Sequence, residues 1–131
     1  MNLTRESRSE EETERFAAEL AAEVLPGTVI ALEGDLGAGK TAFARGFARG
    51  LGITDPVTSP TFTILQSYEG GRLPLWHFDL YRLEDESEMD EIGYEDCFYG
   101  EGVSLVEWAS RMPDCLPKTA VRVEISRVPE R

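Results

Sequence analysis

The chain has 131 residues, enough for one hydrophobic core rather than two, and its 41% hydrophobic share is ordinary for a globular protein. Asp and Glu number 25 against 13 Lys and Arg, a formal net charge of −12. That field disfavours direct binding to a nucleic-acid backbone, and no apolar run reaches the length of a membrane span. The acidity fits either plain solubility or a docking surface for a basic partner.

The polar start Met1-Asn2-Leu3-Thr4-Arg5 lacks the pattern of a signal peptide, which predicts a cytoplasmic protein. Ser9-Glu10-Glu11-Glu12 opens a helix in capping-box fashion, with the Ser9 side chain accepting from the Glu12 N–H. Phe16, Leu20 and Val24 give that helix its apolar face, and Pro26-Gly27 ends it. Thr28 to Leu32 reads as a short buried strand.

The next eight residues, Gly34-Asp35-Leu36-Gly37-Ala38-Gly39-Lys40-Thr41, match G-x-x-x-x-G-K-[ST] at every fixed position. A helix from Thr41 to Leu51 follows, so the order is strand, loop, helix. Glycines let successive backbone N–H groups turn inward as an anion nest, and the helix N-terminus adds its positive end. Lys40 would reach the β- and γ-phosphates of a nucleoside triphosphate, and the Thr41 hydroxyl would ligate Mg²⁺. Asp35, Leu36, Gly37, Ala38, Gly39, Lys40, Thr41 and Ala42 are therefore the candidate phosphate-binding residues.

Gly50 to Pro60 reads as a loop. Thr61 to Tyr68 and Leu73 to Tyr81 read as strands joined by the turn Glu69-Gly70-Gly71-Arg72, a hairpin that makes the sheet mixed. Glu84 to Glu91 and Tyr94 to Tyr99 read as helices, Val103 to Val106 as a buried strand and Thr119 to Ser126 as a last strand. Helix–strand alternation around a phosphate loop predicts an α/β fold, a three-layer α/β/α sandwich forming one nucleotide-binding domain over residues 1–131. Cys97 and Cys115 lie far apart with no C-x-x-C and a single histidine in the chain, so reduced, partly buried thiols are expected rather than a zinc site.

A phosphate loop of this kind needs a carboxylate at the end of a neighbouring strand, aimed at the Mg²⁺. Asp79 closes Leu75-Trp76-His77-Phe78, and Glu107 closes Val103 to Val106. Either could instead be a surface acid, and the pattern does not decide which would touch the metal directly. Guanine recognition through N-K-x-D is not available, because the one asparagine is Asn2, which leaves adenine as the default. Ser9 and Thr13, near the start of the first helix, are candidates for base or ribose contacts.

In order, the phosphate loop, Ser59-Pro60-Thr61-Phe62, His77-Phe78-Asp79-Leu80-Tyr81-Arg82 and Glu107-Trp108 resemble the bacterial TsaE (YjeE) family of small P-loop ATPases. The resemblance spans roughly residues 9 to 125. H-x-D-x-Y-R and the Glu-Trp pair discriminate far better than the loop, which many families share. Members of that family usually run on beyond the point where this chain stops, at Arg131.

The resemblance implies an ATPase that uses Mg²⁺ and serves the threonylcarbamoyladenosine modification of tRNA through partners of the TsaB and TsaD type, which would hold the RNA. It implies a catalytic set of Lys40, Asp79, Glu107 and Thr61, with Thr41, Asp79 and Glu107 facing the metal. Thr61 would lie in a switch-like segment near the γ-phosphate, and Trp108 could pack beside the nucleotide or simply be core. His77 would share the face of Asp79 and Tyr81, or be a core histidine bonded to backbone. The role of Arg82 stays open. A small-molecule P-loop kinase is the competing reading, against which stands the lack of an arginine-rich lid.

Overall fold

A six-stranded sheet in the order β1-β6-β2-β5-β4-β3 forms the middle layer. Its strands are β1 (Asn2–Ser7), β2 (Val29–Gly34), β3 (Leu65–Tyr68), β4 (Leu75–Asp79), β5 (Val103–Glu107) and β6 (Val121–Arg127). All neighbours pair in parallel except β3, which runs antiparallel to β4. The computed structural model describes residues 2–34, 37–58 and 64–127. Among the described residues no helix is long and apolar enough to cross a membrane.

Side-chain alternation along the strands separates two cores. Ile30, Leu32, Leu75, Val103, Leu105 and Val123 cluster with residues of α1 (Glu10–Glu23) and α2 (Gly37–Gly50). Val29, Ala31, Phe78 and Val106 cluster on the other face with Met89 of α3 (Glu86–Glu91) and Phe98 of α4 (Tyr94–Phe98). Helices thus cover both faces, giving the α/β/α layers and mixed sheet that the helix–strand alternation predicts.

Strand β1 is the element the sequence reading lacks. It carries no apolar pattern: of its six residues only Ser7 is buried. It forms because β6 offers an edge to pair with, in register from Asn2 with Arg122 to Ser7 with Arg127. Other boundaries shift for local reasons. Pro74 cannot donate to a ladder, so β4 starts at Leu75. It stops at Asp79, whose Oδ1 accepts from the Tyr81 N–H at 3.0 Å and turns the chain. Ile64 has a positive φ of 67°, so strand geometry begins only at Leu65; residues 61 to 63 of the expected strand lie outside the described residues.

The Ser9 hydroxyl accepts from the Glu12 N–H at 3.2 Å, which is one half of the expected box; among the described residues the return bond from the Glu12 carboxylate is not made. A reciprocal capping box closes at α3, between Asp85 and Glu88, which moves the start of that helix from Glu84 to Glu86. Both cysteines are free and buried, and burial pushes both thiols above their ordinary value.

Helices α1 and α2 touch backbone to backbone, because glycine stands where they cross. A Cβ on Gly46 would lie 2.2 Å from the Glu14 carbonyl oxygen, and one on Gly50 would lie 2.5 Å from that of Ala18. Alanine in a helix interior ordinarily gains up to about 1 kcal/mol over glycine. Here a backbone atom blocks it, and overpacking of about 1–3 kcal/mol wins. Gly46→Ala should therefore lower the denaturant midpoint; a raised midpoint would show that the helices can part without cost.

Candidate functional site

Three parallel strands, β2, β5 and β4, end side by side at their carboxyl edge, where α/β sheets bind ligands. Leu32 of β2 is in register with Glu107 of β5, and Glu107 with Asp79 of β4. Alternation places Asp79, Glu107 and His77 on the same face as Leu75 and Leu105, the face that α1 and α2 cover. Both carboxylates thus lie on the side where the phosphate loop delivers α2.

That helix begins at Gly37 rather than at Thr41. The Gly-Ala-Gly-Lys stretch is already helical, so the backbone N–H groups without a partner in the helix belong to the residues just before Lys40, and Lys40 and Thr41 close the first turn of α2. Gly34, the first glycine of the motif, ends β2 against β6: a Cβ there would lie 2.7 Å from the Ile125 carbonyl oxygen. Asp35 and Leu36 lie outside the described residues, as do Ser59, Pro60, Thr61 and Phe62. Ala42 is fully buried.

Lys40 is buried, with Nζ 4.4 Å from the centre of the Trp108 ring, a cation–π contact. Trp108 is 41% exposed, which removes the core reading of this residue. It adopts a left-handed conformation, with φ 59°, as the chain leaves β5 for the short 3-10 turn Ala109–Arg111. A bulky residue there stores strain on the order of 1–3 kcal/mol. Its ring packs on Tyr81 at 4.8 Å between centroids, and the Arg111 guanidinium lies 5.9 Å from the Tyr81 ring. The aromatic pair is tied to both carboxylates: Trp108 follows Glu107 in the chain, and the Tyr81 N–H donates to Asp79. Nothing in the sequence pattern pairs Tyr81 with Trp108.

His77 is bonded to a side chain, not to backbone as a core histidine would be. Its Nε2 lies 2.6 Å from Glu107 Oε2, and both residues are buried. Arg82 and Thr41 each have partners.

A cleft of about 260 Å³ opens between β1 and α1, lined by Arg5, Ser7, Glu12, Thr13 and Phe16 among others. A smaller recess shares Ser7, Thr13 and Ile125 with it and reaches Gly34, Gly39 and Lys40. The cleft therefore leads to the phosphate loop. Thr13 lines both, with its hydroxyl 2.6 Å from that of Ser7. The Ser9 hydroxyl, by contrast, is engaged as the helix cap. Ser7, which the sequence reading passed over, enters the site because β1 forms.

The family model for the threonylcarbamoyl adenosine biosynthesis protein TsaE matches residues 7–131. The chain belongs to the TsaE family. The tRNA threonylcarbamoyladenosine biosynthesis protein TsaE of Bacillus subtilis is 54% identical over 117 residues, covering 89% of this chain and 73% of that one. The protein of the same name from Treponema pallidum is 43% identical over 119 residues, covering 91% and 87%. The crystal structure of Bacillus subtilis YdiB superposes with a TM-score of 0.80 at 44% identity, over 95% of this chain and 76% of that one. The TsaE resemblance drawn from H-x-D-x-Y-R and Glu-Trp is borne out by these matches.

Proposed function

We propose that this TsaE-family chain is one cytoplasmic, Mg²⁺-dependent ATP-binding and ATP-hydrolysing domain serving tRNA threonylcarbamoyladenosine biosynthesis through a complex of TsaB- and TsaD-type proteins. The observation that carries the reading is the convergence of Lys40, Asp79 and Glu107. The lysine starts α2, and the two carboxylates are register neighbours on the strand ends facing that helix.

In this reading the backbone of Asp35, Leu36, Gly37, Ala38, Gly39, Lys40, Thr41 and Ala42 cradles the phosphates. Lys40 leaves the Trp108 ring for the β/γ oxygens, an exchange of a cation–π contact for charge-assisted hydrogen bonds that are stronger. Two buried carboxylates on neighbouring strand ends beside an anion cradle are the chemistry that suits a divalent cation. Thr41, Asp79 and Glu107 would hold Mg²⁺. When bound it would neutralise charge developing between the β- and γ-phosphates. Thr61 would sit by the γ-phosphate. Thr13, which lines the cleft, would face the nucleoside, Ser9 would act beside it only as the cap of α1, and Trp108 would flank the nucleotide.

The net charge of −12 supports a division of labour in which partners hold the tRNA. Gel-shift titration of the isolated chain with tRNA at near-physiological salt should show no complex above background. Adding the TsaB- and TsaD-type proteins should recruit the chain more strongly with ATP than with ADP. Tight tRNA binding by the chain alone, or recruitment indifferent to nucleotide, would contradict the proposal.

A further inference from the structure

We propose that His77 is a positioning residue for Glu107: its Nε2–H holds one carboxylate oxygen and leaves the other for the metal side of the site. The inference rests on the ATPase reading above and adds a residue to it. His77 is 1% exposed and Glu107 8%, and Nε2 lies 2.6 Å from Oε2. A carboxylate oxygen only accepts, so the proton of this bond sits on Nε2. His77 Nδ1 has no hydrogen-bond partner among the described residues.

Packing does not account for this residue. The ring lies two positions before Asp79 on the same face of β4 and is in register with Leu105, beside an apolar cluster that includes Leu75. A leucine would fill that layer without leaving a buried nitrogen unpaired. What leucine could not do is hold Glu107. Among the described residues the Glu107 side chain has no other hydrogen-bond or ion-pair partner. The short contact from a ring held within the sheet fixes the orientation of that carboxylate. Groups of this kind behind a metal ligand commonly govern affinity roughly 10- to 100-fold.

The test compares His77→Leu, which keeps bulk and removes the donor, with His77→Gln, whose amide N–H replaces Nε2–H. Electron paramagnetic resonance follows Mn²⁺ binding to the protein–ADP complex, alongside metal-free ADP affinity, thermal unfolding and steady-state ATP turnover. His77→Leu should weaken Mn²⁺ about tenfold or more while metal-free ADP binding stays unchanged, and His77→Gln should restore most of the loss. If the leucine variant does not fold, His77→Asn, too short to reach Glu107, takes its place with the same expected outcome. Mn²⁺ binding like the parent's in the donor-less variant overturns the proposal, as does an equal loss in the glutamine variant. A parent chain that binds no Mn²⁺ with ADP overturns the ATPase reading itself, and this inference with it.

Discussion

Lys40→Ala is expected to abolish ATP hydrolysis and to weaken ATP more than ADP. A charge-assisted hydrogen bond of this kind contributes about 1.5–3 kcal/mol, which corresponds to roughly 10- to 150-fold in affinity. The asymmetry between the nucleotides follows from reach, since in the proposed site the amine would meet oxygens of both the β- and γ-phosphates and ADP lacks the second set. Stability should change little. In the free protein the substitution removes the cation–π interaction with the Trp108 ring, about 0.5–1 kcal/mol at a partly exposed site. Equilibrium titration with each nucleotide, beside a turnover assay, separates the two effects. Unchanged turnover would remove Lys40 from the mechanism.

Asp79→Asn and Glu107→Gln should each lower Mg²⁺-dependent hydrolysis at least about tenfold while the fold survives. Both replacements retain the hydrogen bonds that the structure shows. The amide carbonyl of the introduced asparagine can still accept from the Tyr81 N–H, and that of the introduced glutamine can still accept from His77 Nε2. Only the charge is removed, so melting temperatures close to the parent's are expected together with a requirement for more Mg²⁺. If both variants hydrolyse like the parent, the metal is held elsewhere.

The parts legible in the sequence were those written in local pattern. The strand before the phosphate loop, the Glu69–Arg72 hairpin turn and the Ser9 cap are each spelled out within a few consecutive residues, and the structure has each of them. Strand β1 was illegible because its stability comes from pairing with β6 near the far end of the chain, not from its own polar residues. The same reason hid Ser7 and the outline of the cleft. Asp79 and Glu107 could be named from strand ends, but their adjacency depends on the parallel register of β4 with β5. His77 and Glu107 are 30 residues apart, so their bond is a product of that register too. Trp108 left two readings open because exposure is decided by the turn after β5, where its left-handed conformation carries the ring out of the core and onto Lys40.

Strand ends, α2 and the aromatic pair together suggest why partner proteins would matter. The Tyr81–Trp108 pair lies on the surface, with both rings substantially exposed, yet touches the lysine and is linked to both carboxylates. In the proposed function a change at the phosphates would be felt at this exposed apolar patch, and a partner contacting it would gain a differential interaction between nucleotide states.

ATP turnover by the chain alone, with the TsaB- and TsaD-type proteins, and with those proteins plus tRNA tests the central claim most directly. Slow Mg²⁺-dependent hydrolysis alone, raised by the partner complex and lost in Lys40→Ala, is the predicted result. Phosphate transfer to a small acceptor, or turnover that the partners leave unchanged, would contradict it.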